Sequence, residues 1–369
     1  MNRLSYKIFP PLAASATVTA TGTSGVASAA PLVHVVVMHG LLGSHRNWQS
    51  VCKTLTAEAL QQTPVVDSAV QSASKQYSNI GKSAVVQCAA FDWRNHGDSA
   101  HMEHSLDGLA DDVEEFLGDY ATSQQQPPRD PSAPPTAPPI DVVLMGHSMG
   151  GMGMLHFLWD RHRHHVEGRG TTSSSNNSAP LMLHKNPLFY NDKYRIVGAV
   201  AVDIAPAARP ESFQAMITAV CFLRELPQER MNSYGEMEEW LLANGPKPYY
   251  TKANIWMIRY FLSNVDVPQR RWKAGIEEII EGTGRILWPH DNTVAGSGGA
   301  VAPLIEDFPI QFVFGGASPY YNTRGVDAIP NYFKDYEVKV VPNASHFLFM
   351  EQRKGFCDHV SGFLARRVL

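Results

Sequence analysis

The chain has 369 residues, of which 44% are hydrophobic and 18% are charged, and this composition is typical of a globular protein rather than a disordered one. Its formal net charge is -4 at pH 7, which gives no electrostatic reason to expect nucleic acid as a partner. No apolar run reaches about eighteen residues, so no transmembrane helix is predicted.

The first thirty residues differ from the rest of the chain. They contain Arg3, Lys7 and many Ser, Thr and Ala residues, and the first acidic residue of the chain is Glu58. Such a segment resembles an organelle transit peptide, so residues 1–30 are predicted to be a leader and the protein mitochondrial. The alternatives are a secretory signal, supported by the small residues VASAA, and a disordered N-terminus of a cytoplasmic protein.

Six short apolar runs, most of them β-branched, are typical of strands that are buried on both faces of a sheet. They are Leu32–Met38, Ala84–Phe91, Ile140–Met145, Ile196–Val202, Ile310–Phe314 and Tyr336–Val341. Most of them are followed by helical patterns, of which Leu106–Tyr120 is an amphipathic example. Strands that alternate with helices predict an α/β fold with a doubly wound, mostly parallel sheet.

Three polar or proline-rich tracts interrupt this alternation, and we interpret them as solvated loop insertions. They lie near residues 61–82, 123–139 and 169–179. In residues 206–304, large apolar residues recur at helical intervals and β-branched strands are missing. This pattern predicts a helical lid inserted into a core that residues 31–205 and 305–369 form. An apolar lid would line a site for an apolar group, although most of its apolar residues must form the lid's own core.

The segment 146–150 reads GHSMG and fits the pattern G-x-S-x-G between a predicted strand and a predicted helix. In that context the serine lies on a sharp, strained turn with its Oγ exposed, and glycines are needed because a Cβ would clash with neighbouring elements. Ser148 is therefore the predicted nucleophile. The N–H groups of Met149, at the start of the helix, and of Leu41, in the loop 39–43 (HGLLG), are the predicted oxyanion donors.

The base and the acid are predicted from their positions in the chain. In proteins with a nucleophile elbow of this kind, the three triad residues follow one another along the chain as nucleophile, acid and histidine. The histidine therefore lies near the C-terminus, and this position selects His346 from the fifteen histidines. The loop after Ile310–Phe314 is the usual position of the acid, but it contains no carboxylate. Asp203, at the carboxyl end of the preceding strand, is therefore the predicted acid, and Ser318 is a possible polar support of His346.

Other chemistry-bearing residues are predicted to be structural. In the segment 91–99 (FDWRNHGDS), the Asp and Arg side chains are expected to hold the loop by ion pairs and hydrogen bonds. The run 162–165 (HRHH) is interpreted as a solvated helix end rather than a metal site. The four cysteines are far apart in sequence and are predicted to be reduced thiols. No metal or organic cofactor is predicted.

The motifs resemble those of α/β-hydrolases, and more narrowly those of the esterase group that includes α/β-hydrolase domain-containing protein 11. In chain order they are HGLLGSHRNW, FDWRNHGDSAH, LMGHSMGG, AVDIAPA, FVFGGASPYY and VPNASHFLFMEQ. The resemblance extends from Leu32 to the C-terminus, except for the insertions, and implies a triad of Ser148, Asp203 and His346. Relatives in this group are often mitochondrial. The chain departs from them in its insertions and in Ser345, where relatives usually have glycine.

These observations predict a serine hydrolase of the esterase, lipase or thioesterase type. Its substrate would be a small-molecule acyl ester or thioester, hydrolysed through an acyl-enzyme on Ser148. Two alternatives stay open: an acyltransferase, in which an alcohol or thiol replaces water, and a non-catalytic ligand-binding protein with the same fold. The oligomeric state is not predicted.

Overall fold

The computed structural model describes residues 3–10, 31–57, 60–61, 83–125, 138–170, 186–207, 210–286, 288 and 304–369. The strands are β1 Tyr6–Phe9, β2 Leu32–Met38, β3 Leu60–Gln61, β4 Ser83–Phe91, β5 Ile140–His147, β6 Tyr194–Val202, β7 Val265–Asp266, β8 Arg271–Trp272, β9 Ile310–Gly315 and β10 Tyr336–Val341. The α-helices are α1 Gln49–Leu55, α2 Leu106–Gln124, α3 Met149–Gly170, α4 Pro210–Phe222, α5 Tyr234–Asn244, α6 Ile255–Leu262, α7 Ile276–Thr283, α8 Thr323–Ala328, α9 Leu348–Glu351 and α10 Arg353–Phe363. A π-helical turn, Leu364–Val368, follows α10.

The described residues form one eight-stranded sheet. Seven of its strands are hydrogen-bonded in the order β1-β4-β2-β5-β6-β9-β10, and the short β3 pairs with β4. The six strands from β4 to β10 along this order are parallel to one another, whereas β1 and β3 are antiparallel to β4. All six predicted strands are present, and the prediction of a mostly parallel sheet is confirmed.

Helices cover both faces of the sheet, as its apolar strands require. Alternate residues of β2 divide between the faces, so that Val35 and Val37 pack with α1 and α10, while Val36 and Met38 pack with α2 and α3. All four side chains are wholly buried. An apolar layer thus lies between the sheet and the helices on each of its faces, which confirms the predicted doubly wound arrangement.

The N-terminal segment differs from the sequence prediction. Tyr6–Phe9, inside the predicted leader, forms β1 at the edge of the sheet and pairs with β4. Arg3, which suggested a targeting segment, instead forms ion pairs with Asp112 (2.5 Å) and Glu115 (2.6 Å) of α2. Sheet pairing and the buried carboxylate of Asp112 thus hold residues 3–10 against the core, while the targeting role of residues 1–30 stays a prediction. The rest of the predicted leader, residues 11–30, lies outside the described residues.

The segment between β6 and β9 contains the helices α4 to α7, together with a short antiparallel ribbon of β7 and β8 that was not predicted. Apolar residues of these helices pack on one another, as in the stacked rings of Phe222 and Trp240, whose centroids are 5.5 Å apart. Others, such as Ile258 and Phe261, are part of the same buried cluster as β2 and α10. We call residues 210–286 the inserted segment.

Some residues at the predicted boundaries of the loop insertions belong to a strand or a helix. Gln61 belongs to β3, residues 123–124 belong to α2, and residues 169–170 belong to α3. Gln125, Pro138 and Pro139 are also described and belong to no helix or strand, and the other residues of the three tracts lie outside the described residues. After the three tracts the described residues resume at Ser83, the first residue of β4, at Pro138 before β5 and at Asn186 before β6.

Across the described ranges, no helix has both the length and the apolar character of a membrane span. The four cysteines are free thiols, and three of them, Cys52, Cys88 and Cys357, are buried.

Candidate active site

Ser148 lies on the turn between β5 and α3. Its φ of 52° is in the left-handed region, which is rare for a residue with a Cβ and indicates local strain. Its backbone N–H donates to the Val202 carbonyl of the neighbouring strand β6 at 3.1 Å, which ties the turn to the sheet. A Cβ at Gly150 would lie 2.3 Å from the His39 carbonyl oxygen, so close packing against the end of β2 requires glycine there.

His346 lies in the loop after β10, with its Nε2 2.9 Å from the Oγ of Ser148. Glu351 fixes this loop, because its carboxylate accepts from the Ser345 N–H (2.7 Å) and Oγ (2.6 Å). The hydroxyl of Ser345, where relatives usually have glycine, therefore has a structural partner. The structure thus places the predicted base within hydrogen-bond distance of the predicted nucleophile.

A second histidine supports the backbone of the first. The wholly buried ring of His147 lies 4.6 Å from the His346 ring, centroid to centroid, and its Nε2 is 2.9 Å from the His346 carbonyl oxygen. Because a carbonyl only accepts, Nε2 of His147 must carry the proton. Burial lowers the pKa of His147 well below its ordinary value, so the ring stays neutral. Tyr320 also stacks on His346, with ring centroids 4.3 Å apart.

Asp203 follows the last residue of β6 and is wholly buried, with a φ of 52°. Its Oδ2 is 2.6 Å from Nδ1 of His346, and its Oδ1 accepts from the Gly315 N–H at 2.8 Å. The Ser318 hydroxyl donates to Oδ2 at 2.5 Å. The support predicted for His346 therefore reaches the imidazole indirectly, because Ser318 contacts the acid.

The two predicted oxyanion donors, Leu41 and Met149, line the same cavity as Ser148 and His346. Met149 is the first residue of α3, so its N–H has no acceptor within the helix. Neither N–H donates a hydrogen bond to another described residue. Both are therefore available to an anion, and the helix N-terminus adds a favourable partial charge.

The cavity above Ser148 is predominantly apolar. Its volume is about 720 Å³, including the part that is open to solvent at its mouth. The wall includes Met152 and Ile204 of the core, Met216 and Phe261 of the inserted segment, and Trp288, which follows that segment. The described lining residues include no Asp, Glu, Lys or Arg, so the site suits an uncharged group next to the nucleophile.

The segment 91–99 is placed beside the site rather than in it. Asp92 accepts from the His45 N–H (2.6 Å) and lies 2.9 Å from the His45 ring nitrogen. Arg94 pairs with the buried Asp112 at 2.9 Å. Within the parts of the chain that the structure describes, no group of three or more His, Cys, Asp or Glu side chains could hold a metal ion.

Three residues that the sequence did not single out as functional contact the site: Tyr320, His147 and Tyr260. Tyr320 lies two residues after Ser318, within the motif FVFGGASPYY, but nothing in that motif assigned it a role. His147 belongs to the G-x-S-x-G pattern, but at a position where any residue is allowed. Tyr260 is one of several aromatic residues at helical spacing in α6.

Comparisons with known proteins identify the family and the fold of the chain. The chain is 22% identical over 339 residues to the mouse (Mus musculus) protein sn-1-specific diacylglycerol lipase ABHD11, covering 91% of this chain and 82% of that protein. Among solved structures, a marine microorganism esterase has a TM-score of 0.62 at 19% identity, covering 99% of this chain and 100% of the other. E-2-(Acetamidomethylene)succinate hydrolase has a TM-score of 0.52 at 15% identity, with 91% of each chain covered. These two likenesses show the fold. The profile of the Alpha/beta hydrolase family matches residues 35–359, which is most of the chain. This match confirms the predicted resemblance, and the chain belongs to the α/β-hydrolase family.

Proposed function

We propose that the protein is a serine hydrolase that cleaves carboxylic esters through a triad of Ser148, His346 and Asp203. The observation that carries this proposal is the continuous chain of contacts from Ser148 Oγ to His346 Nε2 (2.9 Å) and from His346 Nδ1 to Asp203 Oδ2 (2.6 Å). These contacts lie at the carboxyl ends of the parallel strands, which is where active sites lie in open α/β sheets of this family.

In the first half of the reaction, the Ser148 Oγ attacks the acyl carbonyl carbon while His346 Nε2 takes the hydroxyl proton. The carbonyl oxygen becomes an oxyanion, which the N–H groups of Leu41 and Met149 stabilise. As the tetrahedral intermediate collapses, His346 gives the proton to the leaving oxygen and the alcohol departs. In the second half, water gives a proton to His346 and attacks the acyl carbon of the acyl-enzyme. As this second tetrahedral intermediate collapses, His346 returns the proton to the Ser148 Oγ and the acid departs.

Asp203 holds His346 in the tautomer that this mechanism requires. Nδ1 must carry a proton so that Nε2 has a free lone pair facing Ser148, and the carboxylate of Asp203 accepts that proton's hydrogen bond. The carboxylate also stabilises the imidazolium that forms when Ser148 is deprotonated.

The shape and chemistry of the cavity favour an uncharged, apolar acyl group. Its described walls carry methionine, isoleucine and aromatic side chains and no charged ones. The mouse relative is named as a lipase acting on diacylglycerol, an uncharged oxygen ester, which supports the ester over the thioester as the substrate class.

Labelling with a fluorescent fluorophosphonate tests the nucleophile. We expect the purified wild-type protein to be labelled and the Ser148→Ala variant not to be, because the probe forms its covalent bond with an activated serine Oγ. Gel fluorescence over time measures the rate, and circular dichroism shows that both proteins are folded. A folded wild-type protein that resists the probe, or a Ser148→Ala variant that reacts equally fast, contradicts the proposal.

A comparison of esters with charged and uncharged acyl groups tests the proposed preference for an uncharged acyl group. We expect kcat/KM for p-nitrophenyl butyrate to exceed that for mono-p-nitrophenyl succinate by on the order of a hundredfold, because no cation in the described wall offsets the desolvation of the succinyl carboxylate. The methyl ester of the succinate, which is longer but uncharged, is the matched control and should recover most of the rate. Equal rates for the charged and uncharged esters, after correction for their hydroxide reactivity, would show that the cavity does not select against charge.

A further inference from the structure

The end of α6 packs against the loop 39–43 (HGLLG), which we call the oxyanion loop. The wholly buried Tyr260 places its Oη beside Gly40. This oxygen accepts a hydrogen bond from the Gly40 N–H at 2.8 Å and donates one to the Gly40 carbonyl at 3.3 Å. Burial raises the pKa of Tyr260 far above its ordinary value, so the hydroxyl keeps the proton that it donates.

The Gly40 carbonyl controls where the Leu41 N–H points. Both groups belong to one planar trans peptide unit and point in opposite directions, so fixing one fixes the other. Besides the hydroxyl of Tyr260, the Gly40 oxygen accepts from the Gly43 N–H at 2.9 Å and from Nδ1 of His39 at 2.8 Å. Rotation of this peptide would break all three hydrogen bonds at once.

Asn264, two residues beyond α6, holds the other half of the loop. Its wholly buried amide Nδ2 donates to the carbonyls of Leu42 (2.7 Å) and Gly43 (2.6 Å). Its Oδ1 accepts from the Gly97 N–H at 3.0 Å. Every polar atom of this side chain is therefore occupied, and two of its three hydrogen bonds hold the oxyanion loop.

The fit between α6 and the loop is close enough to require a glycine. A Cβ at Gly43 would lie 2.0 Å from the Tyr260 Oη and 2.4 Å from Cζ of the same ring. Because both atoms belong to a rigid, buried ring, any side chain at position 43 would displace Tyr260 from Gly40.

We propose that Tyr260 and Asn264 are positioning residues that aim the Leu41 N–H at the developing oxyanion, so that this end of the inserted segment is a fixed part of the active site. The inference rests on the proposed hydrolase function and adds to it a dependence of the oxyanion donor on α6. Neither residue needs to touch the reacting atoms, since both act through the peptide groups of the oxyanion loop.

The test is the Tyr260→Phe variant, which keeps the ring and removes only the hydroxyl. Tyr250→Phe is the matched control, because Tyr250 is also wholly buried in the inserted segment and its hydroxyl donates to the Ala219 carbonyl, away from the oxyanion loop. We expect Tyr260→Phe to lower kcat for p-nitrophenyl butyrate by about 10- to 100-fold, and to leave KM within about twofold of the wild-type value. The loss is smaller than that for removing an oxyanion donor, because the Leu41 N–H is misaligned rather than absent. Tyr250→Phe should keep kcat within about twofold.

Inhibition by a butyl trifluoromethyl ketone separates positioning from a general loss of stability. This ketone forms a tetrahedral adduct with the serine and so needs the oxyanion donors. Its Ki should rise in Tyr260→Phe by the same factor as kcat falls, and should stay unchanged in Tyr250→Phe. Asn264→Ala should show the same pattern, and it decides the question if Tyr260→Phe does not fold.

Three results would overturn the inference. In the first, folded Tyr260→Phe keeps its kcat and its Ki for the ketone. In the second, KM rises while kcat is unchanged, which would make Tyr260 a wall of the acyl site. In the third, Tyr250→Phe loses as much activity. If the wild-type protein neither hydrolyses the ester nor reacts with the fluorophosphonate, the proposed function fails and this inference with it. An active wild type with an unaffected Tyr260→Phe rejects this inference alone.

Discussion

Replacing His346 with alanine is expected to lower kcat for p-nitrophenyl butyrate by on the order of a million-fold, as much as replacing Ser148 itself. The reason is that Nε2, 2.9 Å from the Ser148 Oγ, is the proposed acceptor of the hydroxyl proton and its later donor to the alcohol. Without it, attack requires a neutral hydroxyl, which is a weak nucleophile.

Because the two residues act as a unit, the double variant Ser148→Ala/His346→Ala should be no slower than either single variant. His359→Ala, which removes the nearest following histidine in the chain from the half-buried surface of α10, is the matched control and should keep kcat within about threefold. Steady-state kinetics at known protein concentration compares these four variants with the wild type. A His346→Ala variant that retains a tenth of the wild-type kcat would reject His346 as the base.

The second large effect is expected for Asp203→Asn, which should lower kcat about ten-thousand-fold. The asparagine keeps the shape of the side chain but can present its NH₂ group to Nδ1 of His346. The imidazole would then hold its proton on Nε2, facing Ser148, and could not act as a base.

Asp307→Asn is the control for this prediction, because Asp307 precedes β9 at the opposite edge of the sheet and accepts from the Asn186 N–H at 3.2 Å. It should leave kcat within about threefold of the wild type, since it does not contact the site. Ser318→Ala removes one of the donors to Asp203 Oδ2 and should cost about tenfold, in line with the loss of one hydrogen bond to a charged group. If Asp203→Asn and Asp307→Asn behave alike, Asp203 is not the acid of the triad.

The parts of the fold that could be predicted are those whose residues carry a local signal. A parallel strand buried on both faces needs an unbroken apolar run, and the six such runs were recognisable without knowledge of their neighbours. Tyr6–Phe9 gave no such signal, because it is a short edge strand in a segment of leader-like composition. Its pairing with β4 joins residues about eighty positions apart, which no local pattern encodes.

The same distinction applies to the site. Ser148, Asp203 and His346 each follow a recognisable strand, and the carboxyl ends of parallel strands lie at one edge of a sheet, so their proximity could be anticipated. Tyr260 and Asn264 could not be found in this way, because their partners in the oxyanion loop lie some 220 residues earlier. Helical spacing predicts that Tyr260 is buried, but not which atom its hydroxyl meets.

The described chain resumes at Pro138, two residues before β5, and the triad lies at the carboxyl-terminal ends of the strands. The full length of β5 therefore separates this point from the nucleophile. Along β5, from Ile140 to His147, this separation is on the order of 20 Å. A fluorophore attached beside Ile140 would thus lie outside the cavity. It would still be close enough for fluorescence energy transfer to a dye-labelled acyl group on Ser148. The lifetime of the acyl-enzyme could then be followed optically without any substitution in the active site.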